Sequence, residues 1–296
     1  MSQLSIVVTC TDRKTLPPAP GLSARELPEG SLPERADMWR ARVHSCDAER
    51  RTLRDLYKGE AWKCSLDLEK SAAALGLAPT TYVASAGLGL RQIDDVSPGY
   101  AATFATGHAD SVVKRAGDAH QWWSALAAAP TALALADLPE RPTLIVLSAA
   151  YSAPLADDLR ALAAKNPDVL VVGGGQPVPR AKHVVANRAL RAELRGTAMS
   201  LNQRIAQAWL NRLNGRPLTA PELFPEWDHW VDQVQQHETW NRTSMSDEAV
   251  IQAIRSMIDA NQRLTWSPAL RQLRDSGYAC EQKRFKRLFT KASEGR

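Results

Sequence analysis

An alternation constrains this chain more than any single motif. Short apolar or β-branched runs at residues 4–10 (LSIVVTC), 80–85 (TTYVAS), 143–148 (TLIVLS) and 168–172 (DVLVV), with a fifth at 183–187, are separated by segments with helical spacing. Helical patterns fall at 34–59, 62–77, around Trp122 and Trp123, from Ser152 through Leu155, Leu159 and Leu162, and at 199–213. Strands that are apolar along their whole length need cover on both faces, and parallel neighbours need helical crossovers. The expected fold class is therefore α/β, a three-layer sandwich with a mainly parallel central sheet. At 296 residues and 44% apolar content the chain can bury one large core, or one medium core beside a small one. The expected division is 1–213 as the α/β domain, 214–245 as a connecting segment with three prolines and three tryptophans, and 246–296 as a helical module.

The net charge of +5 is concentrated at one end. Residues 263–296 hold nine Lys/Arg against three acids, so the tail carries +6 and everything before it sums to −1. A helix from Ser246-Asp247, a second through SPALRQLRD (267–275), a Ser276-Gly277-Tyr278 turn and a basic helix at 280–289 resemble a helix-turn-helix. That pattern points to DNA as partner, contacted by Arg271, Arg274, Lys283, Arg284, Lys286 and Arg287; the plain alternative is a solvated charged helix. No apolar run is long enough to span a membrane, and residues 1–20 lack the regions of a secretory signal. Four dispersed cysteines without a C-x-x-C pair fit reduced thiols in a cytoplasmic protein, which is expected to be a monomer. No metal or other cofactor is expected.

The first strand delivers Thr11, Asp12, Arg13 and Lys14 at its carboxyl end, where open α/β sheets place their ligands. The stretch 80–104 (TTYVASAGLGLRQIDDVSPGYAATF) runs strand, glycine turn, acid pair, turn and aromatic. It reads as the floor and wall of a site, or as a tight strand-to-helix connection with two solvated aspartates. Ser85, Gly87 and Gly89, Ser148 and Tyr151 after the third run, and Gly174 in the Gly173–Gly175 triplet are expected at the same edge. Tyr100, Phe104 and Tyr151 are candidate aromatic walls. His108 is a candidate base or a loop histidine. The chain lacks G-x-G-x-x-G after the first strand, a Walker loop, H-E-x-x-H and G-x-S-x-G. Chemistry is left to carboxylates and to basic or hydroxyl groups.

The segments VVTCTDRK, LYKGEAW and SAGLGLRQIDDVSPGYAATF resemble a group of bacterial small α/β proteins with a Ser-Ala-x-x-Gly-Leu signature. They are also similar to phage-defence DNA glycosylases that remove glucosylated hydroxymethylcytosine. The resemblance covers roughly residues 5–212 and aligns Asp94 as the acid and Tyr100 as the aromatic. It departs at Gly99, where a proline is usual, and at Ala101, where an acid is common, leaving Asp95 or Asp12 as a second carboxylate. The resemblance implies base flipping, hydrolysis of an N-glycosidic bond through an oxocarbenium-like state, and an abasic product. Two alternatives stand beside it: a nucleoside deoxyribosyltransferase-like enzyme, and a non-enzymatic DNA-binding ligand sensor.

Overall fold

A computed structural model of the chain describes residues 2–128, 132–236, 242–262 and 264–294. Trp240, Arg263 and Arg296, used above, lie outside the described residues. The chain divides into two units, 1–236 and 237–296.

The first unit is α/β. The chain runs β1 (Ser2–Thr9), α1 (Leu32–Ser45), β2 (Arg50–Thr52), α2 (Leu53–Leu56), α3 (Glu60–Ala74), β3 (Leu77–Ser85), β4 (Gly89–Gln92) and β5 (Val96–Pro98). It continues through α4 (Ala119–Ala127), β6 (Thr143–Leu147), α5 (Ala149–Ser152), α6 (Ala156–Lys165), β7 (Val169–Gly173), β8 (Lys182–Val184), α7 (Arg191–Leu194), α8 (Leu201–Leu210) and α9 (Leu223–Val234). The sheet order is β4-β3-β1-β6-β7-β8, parallel throughout except for β4. Ile6, Val7 and Val8, Leu144 to Leu147 and Leu170 to Val172 are almost wholly buried, as strands covered on both faces must be. Helices α3 and α8 pack together over β1, β3, β6 and β7, while α1 packs against α4. Helix α9 belongs to this unit: Trp209 of α8 packs at a tilt against its Phe224 and Trp227.

Two expectations need correction. The helical pattern at 34–59 is only partly helix. Ser31 and Glu34 form a reciprocal capping box with Pro33 in the first turn, so α1 begins at Leu32; it ends at Ser45. The remainder pairs as β2 with β5, and the Thr52 side chain caps α2. The glycine turn after β3 leads not to a helix but to the antiparallel strand β4. Gly89, at φ +71°, supplies the left-handed residue that this hairpin needs.

Glu60, first in α3, ties that helix to the segment before α8. Its carboxylate accepts hydrogen bonds from Thr197 N (3.0 Å), Ser200 Oγ (2.9 Å) and Arg204 Nη2 (2.8 Å). These bonds pull its pKa down to about 2 from 4.5. A depressed carboxylate stabilises the fold above its unfolded pKa and loses that contribution as pH falls through the folded one. The Glu60 side chain is 37% exposed, so solvent screening cuts the effect. Glu60→Gln should cost about 1 kcal/mol at neutral pH. It should also flatten the acid limb of stability between the two pKa values, read from denaturant melts at stepped pH.

The second unit has helices α10 (Asp247–Ala260), α11 (Trp266–Asp275) and α12 (Gln282–Glu294). A short parallel pair, β9 (Thr243–Ser244) with β10 (Tyr278–Ala279), accompanies them. Val250, Ile254, Leu270, Leu273, Phe285 and Leu288 form its own core. The Ser246 side chain caps α10, and the Glu281 carboxylate accepts the Lys283 and Arg284 amides at the start of α12.

Candidate functional site

The order β3-β1-β6-β7-β8 reverses direction at β1. In such doubly wound sheets the ligand crevice lies at the carboxyl ends of the strands beside the reversal. Here that point falls between the loop after β1 and the turn after β6. Cys10 Sγ lies 3.0 Å from Tyr151 Oη across it. Tyr151 Oη also accepts from Ala86 N (3.3 Å), and its ring meets Phe104 edge-on at 5.2 Å.

A chain of hydroxyls lies behind this crevice. Ser85 Oγ accepts from the amides of Gly87 (3.1 Å) and Leu88 (3.2 Å), which leaves its own proton for Tyr100 Oη at 2.6 Å. Tyr100 then donates to Tyr57 Oη, also at 2.6 Å. Burial pushes the pKa values of Tyr57, Tyr100 and Tyr151 upward, so all three are neutral hydroxyls near pH 7. The turn carrying Ser85 is held from the helices: Trp39 Nε1 donates to Gly87 O (2.6 Å) and Trp122 Nε1 to Ala86 O (2.7 Å). A Cβ on Gly87 would fall 2.5 Å from the Tyr100 ring, so only glycine lets the turn and the tyrosine approach this closely.

Lys14 caps the cluster. Its Nζ stands 4.1 Å from the Tyr100 ring centroid and 5.5 Å from that of Tyr57. It donates long hydrogen bonds to the carbonyls of Thr11 (3.4 Å) and Asp12 (3.3 Å). Burial lowers its pKa, opposed by the charges of Cys10, Asp12 and Asp110. Asp110 is itself buried and chelated by the Arg25 guanidinium, which holds its carboxyl below the usual range. The loop is stitched in place by Thr11 Oγ1 to Lys58 O, Lys58 N to Arg13 O and Thr15 N to Leu56 O.

Among the expected site residues, Thr11, Asp12, Lys14, Ser85, Gly87, Tyr100, Phe104 and Tyr151 gather here. Asp12 and Arg13 lie exposed at the rim. The aromatic residues are 1%, 4% and 8% exposed at Tyr100, Phe104 and Tyr151, so they form a floor, not open walls. Ser148 is exposed at the end of β6. Gly174 sits one strand further, its amide already spent on Leu147 O (2.7 Å). The Gly87 amide is likewise spent on Ser85, so neither glycine offers a free donor to a phosphate. His108 Nδ1 accepts the Asp110 amide and serves its own loop.

The acid pair is not at this edge. After β4 the chain turns at residues 93–95 and climbs back through β5 to Tyr100. Ile93 N bonds to Thr81 O, so the turn lies beside the middle of β3, about 13 Å down the strand from Ser85. Asp94 is 69% exposed and paired with Arg54, which also holds Glu69. Asp95 Oδ2 accepts the Gln92 amide across the turn. The expectation that Asp94 and Asp95 face the crevice is therefore corrected: an antiparallel hairpin carries them away from it. Cys10, Tyr57 and Asp110 are the members that sequence reasoning missed. Tyr57 had a signal, since it stands in LYKGEAW, but its spacing reads equally well as the apolar face of a helix.

In the second unit Arg271, Lys283, Lys286, Arg287 and Lys291 are exposed. Arg287 also stands 3.6 Å from the Asp247 carboxylate, and two others do structural work. Arg284 donates to Asp247 (2.7 Å) and to Met245 O (2.8 Å), and Arg274 donates to Cys280 O (2.9 Å). Arg274 and Arg284 are thus struck from the free basic face.

Fold and site together define a doubly wound α/β protein with a polar switch-point cluster, carrying a separately cored basic three-helix unit. No family model, no curated protein and no solved structure matches the chain. No described helix is long and apolar enough to cross a membrane.

Proposed function

We propose that this chain is a DNA N-glycosylase that releases a modified cytosine, of the glucosylated hydroxymethyl kind, from phage DNA and leaves an abasic site. It acts as a cytoplasmic monomer in antiviral defence. The observation that carries the reading is the switch-point cluster. Gathering a half-buried amine and five hydroxyl or thiol groups, those of Cys10, Ser85, Tyr57, Tyr100 and Tyr151, costs stability that a purely structural edge avoids, and such costs gather where chemistry is done. Exposed lysines and an arginine on α12 supply the polymer-binding face. The substrate class follows the resemblance of VVTCTDRK, LYKGEAW and SAGLGLRQIDDVSPGYAATF.

In this reading a flipped nucleotide enters beside Cys10 and Lys14, the half-buried members of the cluster. The Asp12 carboxylate at the rim stabilises the positive charge that develops on the sugar as the base departs. Tyr100 and Tyr57 hold Lys14 from behind. The test is mass analysis of bases freed from DNA containing glucosylated hydroxymethylcytosine, hydroxymethylcytosine or cytosine. Asp12→Asn should fold normally and release base about a hundredfold more slowly. Release from free nucleosides but not from DNA would favour the deoxyribosyltransferase-like alternative; no release from any substrate would overturn the reading.

A further inference from the structure

We infer that the Lys14 amine is itself the nucleophile, so that the enzyme passes through a covalent imine with the sugar and nicks the strand after releasing the base. The inference rests on the glycosylase reading and goes beyond hydrolysis. Its first support is pairing. Arg25, Arg54, Arg204, Arg216 and Arg284 each hold a carboxylate within ion-pair distance. Lys14 instead meets two backbone carbonyls at 3.3 and 3.4 Å and two tyrosine faces. An amine held by neutral groups loses its proton more readily than one clamped by an acid. Its second support is position, at the sheet reversal beside the Cys10–Tyr151 contact. The hydroxyl chain behind it keeps the side chain from swinging away. Desolvation works in the same direction, lowering the Lys14 pKa.

The step balances without an oxidant or reductant. Neutral Nζ attacks C1′, the bond from C1′ to the base breaks, and its electron pair leaves with the base, which takes the proton released by the new ammonium. The nitrogen lone pair then opens the C1′–O4′ bond to a protonated imine, and the electron pair goes to O4′, which takes a proton from water. Loss of a C2′ proton to water lets the 3′ C–O bond break, freeing the downstream 5′-phosphate. Water hydrolyses the imine and returns Lys14.

The full chain is incubated with a duplex oligonucleotide carrying one abasic aldehyde site, with sodium borohydride as trap. This probe needs no knowledge of the base. A covalent protein–DNA adduct is expected, mapped by peptide mass analysis to residue 14, and reduced at least tenfold in Lys14→Met and Lys14→Arg. Both variants are first checked by thermal melting. Lys14→Met keeps the stem, and removing a desolvated ammonium should leave the fold no less stable. An adduct mapping elsewhere, or undiminished in both variants, overturns the inference. So does base release from modified DNA with no adduct and no strand break, an outcome that leaves the glycosylase reading standing. Absence of base release is the separate result that sinks the parent reading.

Discussion

Gly99→Ala should destabilise the α/β unit by about 3–4 kcal/mol, at the upper end of what overpacking costs. An ideal Cβ at residue 99 would lie 2.0 Å from Pro17 O, 2.9 Å from Pro17 C and 3.0 Å from Leu16 Cβ. The opposing atoms are backbone, and the segment Pro17-Pro18-Ala19-Pro20 has little freedom to retreat because its prolines fix φ. Ala19 N is bonded to Gly99 O at 2.9 Å, so the two strands of chain cannot part without losing that bond. The next residue is Tyr100, and any shift also moves the ring beneath Lys14. Whatever folds should therefore have lost activity as well. Gly117→Ala is the control, since a Cβ there meets nothing within 4 Å. A Gly99→Ala midpoint within about 0.5 kcal/mol of the parent would mean that the approach to Pro17 is looser than described.

Reversing Lys283, Lys286, Arg287 and Lys291 to glutamate should weaken DNA binding by about a thousandfold at low salt. It should also lower the log–log salt slope by up to about 3.6, at about 0.9 per phosphate contact. All four side chains lie on the exposed side of α12, opposite Phe285, Leu288 and Ala292. The core of the unit is then untouched, and its melting should fall only by the small contribution of the exposed Arg287–Asp247 pair at 3.6 Å. Arg284→Ala should do the opposite. Its guanidinium joins α12 to Asp247 at the start of α10, so its loss destabilises the unit while leaving the slope nearly unchanged. Salt titrations by fluorescence anisotropy, paired with melts, separate the two. An unaltered slope in the fourfold variant would remove α12 as the DNA anchor.

Local signals carried most of the architecture. Runs such as IVV and TLIVL are apolar at every position because both faces of a parallel sheet are covered, and that pattern is complete within five or six residues. Caps are equally local: Ser31 with Glu34, and Ser246 before α10, mark helix starts within one turn. The clustering of charge in the tail is likewise visible without any contact map. The sequence by itself therefore determined the α/β class, the strand-end loop that bears Asp12 and Lys14, and the basic end. Only the tertiary structure decided the site. Tyr57 finds Tyr100 across 43 residues and Tyr151 finds Cys10 across 141, separations at which no spacing rule operates. Asp94 and Asp95 lie only nine and ten residues from Ser85, yet the antiparallel turn into β4 carries them down the strand while β5 brings Tyr100 back. Neighbours in the chain were parted, and distant residues joined, because hydrogen-bond register between strands fixes height along the sheet and sequence distance does not.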